Sequence, residues 1–167
     1  TFKIAHVLNT LDKVRYSTET ECRFRGMSEV FNLLKEKEGS DFEIAYVTNA
    51  PAWLMRTYHT SFLQNGGFPD GTIYFREGES AVTHKQTVIR KLLREKNPDR
   101  VLFVGDNGEN DIVHYDKMVS EFANTKTKFL TLIHIVYATN IGLPIKAGQF
   151  GYVTPVEFAL TLEDHGY

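Results

Sequence analysis

Short continuous apolar runs along this chain alternate with longer stretches in which apolar residues recur every three or four positions. The first pattern predicts buried strands and the second amphipathic helices. Phe42 to Val47, Thr72 to Phe75, Val101 to Val104 and Phe129 to Val136 are the strand-length runs. Val30, Phe31, Leu33 and Leu34 form one helix face after Gly26-Met27, with Ser28 as its N-cap and a stop at Gly39. A second helix opens at Pro51, a residue suited to a first turn, and carries Trp53, Leu54, Tyr58, Phe62 and Leu63 to Asn65-Gly66-Gly67. A third runs from about Lys85 to Glu95 on Val88, Ile89, Leu92 and Leu93, ending at Asn97-Pro98. A fourth spans about Asn110 to Phe122, and a last one opens at Thr154-Pro155 and runs through Leu162. Residues 2–25 mix apolar and charged positions without a period and predict only a flap or irregular excursion.

Strands that alternate with helices of this length imply βαβ units and a parallel sheet covered on both faces. The expected fold class is therefore α/β, doubly wound. No linker and no internal repeat divides the sequence, so residues 1–167 read as one domain, long enough to bury a core without staples. Composition narrows the function classes. Cys22 is the single cysteine and excludes an intrachain disulfide, while 19 Lys plus Arg against 21 Asp plus Glu leave no nucleic-acid footprint. The longest apolar run, Phe129 to Tyr137, is too short to span a bilayer, and no leader pattern is visible. A cytoplasmic or peripheral-membrane location is the expectation.

Chemistry gathers where the predicted strands end. Val101–Val104 runs into Gly105-Asp106-Asn107-Gly108-Glu109-Asn110-Asp111, and carboxylates at the carboxyl end of a strand are where an open α/β sheet does its work. Gly105 would give the backbone freedom for a sharp exit. Asp106, supported by Asp111, can hold a hard cation such as Mg²⁺, which takes one or two protein carboxylates plus phosphate and water. The same residues also fit a plain Asp-Asn-Gly turn followed by a helix-start acid. An EF-hand loop does not fit, since its twelfth position would be Lys117.

Thr48 ends the second predicted element, and the Asn49 and Ala50 amides point toward the following helix, the usual place for a phosphate. Thr-Asn-x-Pro is equally an ordinary way into a helix. Lys85, after His84, heads a helix, where the macrodipole disfavours an ammonium unless it neutralises phosphate or a carboxylate. The alternative is an exposed surface Lys, with His84 packing or capping.

Order along the chain separates the rival readings. Response regulators place the phosphoacceptor Asp before the Thr and the Lys last, whereas here the order is Thr48, Lys85, Asp106. That resembles the haloacid-dehalogenase-like (HAD) phosphotransferases, with a D-x-D-x-T nucleophile motif, then Ser/Thr, then Lys, then an acidic G-D-x-x-x-x-D motif. Tyr46-Val47-Thr48-Asn49-Ala50-Pro51 with Trp53-Leu54, Phe68-Pro69-Asp70-Gly71, His84-Lys85 with Ile89-Arg90-Lys91-Leu92-Leu93, and Gly105–Asp111 with Tyr115 resemble more closely the catalytic domain of the actin-patch type of phosphatidate phosphatase, related to the lipins. The similarity covers nearly the whole chain.

The resemblance implies an Mg²⁺-dependent hydrolase acting on a phosphate ester, phosphatidate or a related lipid phosphate. Thr1-Phe2-Lys3-Ile4 resembles the residues starting at the final Thr of D-x-D-x-T, so the nucleophilic Asp and the acid/base Asp are expected upstream of Thr1, and the chain alone is expected to be inactive. Asp12 cannot replace them, because no strand precedes it. The implied roles are nucleophile orientation for Thr1, phosphate binding for Thr48, Asn49 and Lys85, and metal binding for Asp106 and Asp111. Thr48 to Lys85 is too short for a large cap, so any lid must come from residues 2–25. There, Lys13, Arg15, Arg23 and Arg25, with Tyr16 and Phe24, form either a contact for an anionic membrane or merely a solvated charged flap. A catalytically inactive HAD-like module binding phosphate or anionic lipid is the alternative; a nucleotide-binding domain fits poorly, as no Gly-rich phosphate loop follows any strand.

Overall fold

Gly26 starts the first helix for a backbone reason. Its φ of 94° lies in the left-handed region, open to glycine, and helix α1 follows over Met27–Glu38. Ser28, expected as the N-cap, lies inside the helix instead, buried, with its hydroxyl donating to Glu29 Oε2 at 2.9 Å. The computed structural model describes residues 24–136 and 142–167. The chain divides into two compact units, one ending at Lys85 and one running from Gln86 to Tyr167.

In the first unit, α1 and a 3-10 turn (Gly39–Asp41) lead to β1 (Ala45–Pro51), α2 (Ala52–Asn65) and β2 (Thr72–Arg76). β1 and β2 pair in parallel from Ala45↔Thr72 to Val47↔Tyr74, then lose register until Pro51↔Arg76. β1 thus starts and ends later than the run Phe42–Val47. Phe42 closes the 3-10 turn, and extended backbone continues through Pro51, which is the N-cap of α2 and not its first-turn residue. The buried hydrophobic side chains are Met27, Phe31, Leu34, Tyr46, Met55, Phe62, Phe68 and Phe75. Leu33 and Trp53, both expected on apolar faces, are exposed. At about 100° per residue they sit out of phase with the buried stripes at Met27/Phe31/Leu34 and Met55/Phe62.

The second unit takes in most of α3 (His84–Lys96), then β3 (Arg100–Asp106), α4 (Asp111–Glu121), β4 (Lys128–His134), β5 (Gln149–Tyr152) and α5 (Pro155–Asp164). Its sheet has the order β3-β4-β5, parallel throughout. One face packs Phe103 and Ile133 against Ile89, Leu93, Ile112, Tyr115 and Met118 of α3 and α4. Phe103 stacks on Tyr115 with centroids 4.7 Å apart. Side chains of successive strand residues alternate between faces, so the row Asp106, His134, Tyr152 points the other way, where Tyr152 packs on Phe158 of α5. The parallel α/β class expected from the alternation of elements is therefore present, with helices on both faces of this sheet.

β5 was not foreseen. Its four residues, Gln149-Phe150-Gly151-Tyr152, contain no continuous apolar run, and the register with Thr131–His134 of β4 decides their state. α5 begins with a capping box, in which Thr154 Oγ1 accepts from the Glu157 amide and Glu157 Oε2 accepts from the Thr154 amide.

Candidate active site

Asp106 is the last residue of β3, and its Oδ1 accepts the Gly108 amide at 2.8 Å. The turn reading and the functional reading thus describe one carboxylate, oriented by its own turn. Gly105 serves closeness and not a sharp exit, since its φ is not left-handed. A Cβ at Gly105 would meet Asp111 Cβ at 2.6 Å, Asp111 Oδ2 at 2.7 Å and Tyr115 Cε2 at 2.7 Å. The bare backbone therefore lets the buried Asp111, first residue of α4, lie against the end of β3 at Gly105.

Asn107, which the sequence reading passed over, holds this end together. It is fully buried; its amide donates to His134 O at 3.1 Å, its carbonyl accepts Leu143 N at 2.9 Å, and its Oδ1 accepts Val136 N at 2.9 Å. The signal available in the sequence was an Asn directly after a strand-end Asp, which also reads as a simple turn.

The remaining site residues lie in the first unit. Thr48, Asn49 and Ala50 occupy the stretch where β1 leaves its register with β2. Thr48 Oγ1 accepts the Ala50 amide at 3.2 Å, so that amide, expected to face a phosphate, is taken up locally. The hydroxyl proton of Thr48 remains able to donate. The Asn49 carbonyl accepts Arg76 Nε at 3.0 Å, while its Oδ1 is buried with no hydrogen-bond partner among the described residues. A cavity of about 510 Å³ opens beside them, lined by Pro51, Ala52, Trp53, Arg76, Glu77 and Gly78. Lys85 is buried at the head of α3, which removes the exposed-lysine alternative. His84 is buried too, with Nδ1 3.6 Å from Glu79 Oε2, and so packs as expected. Thr1, together with Asp12, Lys13, Arg15, Tyr16, Cys22 and Arg23, lies outside the described residues; of the basic flap, Arg25 is exposed.

A hydroxyl at a strand irregularity, a buried lysine, a strand-end acid and a helix-start acid follow one another along the chain, at Thr48, Lys85, Asp106 and Asp111. Residues 1–130 match the family described as "Phosphatidate phosphatase APP1, catalytic domain". The chain belongs to this family. No curated protein and no solved structure matches it.

The matched stretch of the APP1 catalytic domain contains Thr48, Lys85, Asp106 and Asp111, whereas β5 lies beyond it. Nonetheless β5 completes the surroundings of Asp106. Asp106 is in register with His134 and His134 with Tyr152. The His134 ring stacks on Tyr152 at 4.9 Å and 6°, and its Nε2 lies 3.1 Å from Val153 O, which places the proton on that nitrogen. Burial first, and the Asp106 charge second, raise the Tyr152 hydroxyl above the ordinary tyrosine range. Tyr115, whose hydroxyl donates to Val104 O at 3.0 Å, is raised by burial and then by Asp111 and Asp106. Both phenols are neutral and so keep a proton to donate.

The donor set suits Mg²⁺. It consists of oxygens only, one of them already oriented by the Gly108 amide, and the Tyr152 hydroxyl, buried and without a hydrogen-bond partner among the described residues, lies in the field of Asp106. Among the described residues no group of three or more His, Cys, Asp or Glu gathers as for a fully protein-held ion. Mg²⁺ needs no such group, as it keeps waters and uses substrate phosphate. Among the described residues no helix is long and apolar enough to cross a membrane.

Proposed function

We propose that this chain forms the catalytic domain of an Mg²⁺-dependent phosphatase that hydrolyses the phosphomonoester of phosphatidate or a related lipid phosphate. The observation that carries this reading is the family match over residues 1–130, which takes in each residue assigned a role. An aspartate preceding Thr1 attacks phosphorus in line, forming an aspartyl-phosphate, and a second aspartate there protonates the leaving oxygen and then activates water. Thr1 orients the nucleophile segment. The Thr48 hydroxyl and the Asn49 amide bind one phosphoryl oxygen. Lys85, whose ammonium is shielded from bulk water, stabilises the equatorial charge more strongly than an exposed lysine could. Asp106 and Asp111 hold Mg²⁺, which when bound offsets the repulsion between attacking carboxylate and phosphate.

The test is phosphate release from phosphatidate vesicles by the full-length protein, with Mg²⁺ and with a chelator, beside Asp106→Ala. The expected result is activity that needs Mg²⁺ and falls by about 10²-fold or more in the variant. Equal turnover by Asp106→Ala removes Asp106 from the mechanism, and hydrolysis of soluble esters without hydrolysis of vesicles defeats the lipid substrate. Phosphate binding without any turnover favours the module that binds but does not catalyse.

A further inference from the structure

Tyr152 is about 98% buried, and its hydroxyl has no hydrogen-bond partner among the described residues. Such an orphan is costly, because a buried polar group that loses water without gaining a partner destabilises the fold by the full desolvation penalty. Packing does not require it, since Phe would fill the same space beside His134 and Phe158. The hydroxyl is therefore open to a partner bound from outside the described residues. Its place in the sheet says where: Asp106, His134 and Tyr152 are register partners across three adjacent strands, all at carboxyl ends and all on one face. Neighbouring strands lie about 4.8 Å apart, so the two outer residues of the row are about 10 Å apart at Cα, near enough for the Asp106 charge to act on the Tyr152 hydroxyl. His134, with its Nε2 proton given to Val153 O and its ring stacked on Tyr152, holds the phenol in place.

We propose that Tyr152 is a positioning residue for the ion site, its hydroxyl donating a hydrogen bond to an oxygen ligand, water or phosphate, carried by Mg²⁺ at Asp106. This rests on the reading that Asp106 holds Mg²⁺, and it adds a residue from β5, outside the stretch that matches the family. The donor is well chosen. A phenol kept neutral beside a carboxylate has one proton to offer, and oxygens bound to a divalent ion carry negative charge to accept it.

The experiment is calorimetric titration of the full-length protein with Mg²⁺ alone, and with inorganic phosphate at saturating Mg²⁺, for wild type, Tyr152→Phe, Tyr115→Phe and Asp106→Ala. Tyr152→Phe is expected to melt no lower than wild type in the absence of ligand and to bind about fivefold more weakly, one hydrogen bond's worth. Weakened binding of Mg²⁺ alone assigns the accepting oxygen to water, and weakened binding of phosphate only assigns it to phosphate. Tyr115→Phe, which loses a satisfied bond to Val104 O, is expected to melt lower and to bind both ligands as wild type does. If Tyr152→Phe binds both ligands with wild-type affinity while Asp106→Ala loses Mg²⁺, the role of Tyr152 is overturned and the ion site stands. If Asp106→Ala retains Mg²⁺, the ion site itself falls, and Tyr152 with it.

Discussion

Gly105→Ala offers the sharpest test of how α4 is seated against β3. The added Cβ would lie 2.6 Å from Asp111 Cβ and 2.7 Å from both Asp111 Oδ2 and Tyr115 Cε2, where ordinary contact begins at 3.4 Å. Relief requires a shift of up to 0.8 Å, the difference between 3.4 and 2.6 Å. No flexible side-chain end can supply it. Asp111 Cβ is fixed to the first turn of α4, and the Tyr115 ring is stacked on Phe103 and tied to Val104 O. Overpacking of this kind costs about 1–3 kcal/mol, and the rigidity here puts Gly105→Ala in the upper half, about 2–3 kcal/mol. For a chain of this size that lowers the melting temperature by about 4–12 °C. Under the proposed role of Asp111 in holding Mg²⁺, the shift is expected to lower Mg²⁺ affinity as well. Gly39→Ala is the control: its φ of 71° strains an L-residue, but nothing lies within 4 Å of the new Cβ. It costs about 1–3 kcal/mol of strain, since its ψ of −143° lies outside the left-handed helical region, and leaves Mg²⁺ binding unchanged. Urea denaturation of the two variants, with Mg²⁺ titrations alongside, decides the matter. A Gly105→Ala protein within about 0.5 kcal/mol of wild type, the range of an ordinary surface change, refutes the close approach of Asp111 and Tyr115 to Gly105.

Asn107→Ala leaves the Val136 amide without its acceptor at 2.9 Å and is expected to cost about 1–3 kcal/mol, with a fall in turnover because Asp106 loses its anchored neighbour; unchanged kcat in a folded variant would show that the latch serves stability alone. Backbone amides of Val153 and Thr154 hold the Glu157 carboxyl below the usual glutamate range. Because the folded value is the lower one, this stabilisation is present above the ordinary range near pH 4.3 and is lost as pH falls through the folded value. Far-UV circular dichroism through that acid range is expected to show α5 losing helicity early, a step that Glu157→Gln flattens; identical acid profiles for the two proteins would dismiss the capping box as its cause.

Helices α3 and α4 and strand β3 were legible because their apolar spacing and the burial of their faces coincide, as with Ile89 and Leu93 on α3. Where a backbone conformation outranked a side-chain preference, legibility failed: the left-handed Gly26 starts α1, although Ser28 carries the capping signal. β5 was invisible because Gln149 and Gly151 carry no strand signal, and only the neighbouring edge of β4 makes them a strand. Of the candidate site, the strand-end place of Asp106 and the helix-head place of Lys85 could be read from the pattern. Gly105 was noticed for the wrong property, as its value lies in the missing side chain facing Asp111, a tertiary fact. Tyr152 could not be singled out from spacing, since its relation to Asp106 runs only through two strand pairings and 46 residues of sequence.

The double nature of the Asp106 segment follows from the same geometry. A turn and an ion site make opposite demands in the usual account, the first consuming carboxylate oxygens and the second needing them. Here the Gly108 amide takes one lone pair of Oδ1, and that bond fixes the plane of the carboxylate without neutralising it. Asn107 then ties the turn to His134, Val136 and Leu143, so that the carboxyl end of β3 and that of β4 move as one. A carboxylate held this way has little rotamer entropy left to lose when a cation arrives, and its affinity is set by charge and geometry more than by ordering. The turn is thus compatible with the proposed ion site, because an ion that takes only one or two protein carboxylates gains most when they are already in place.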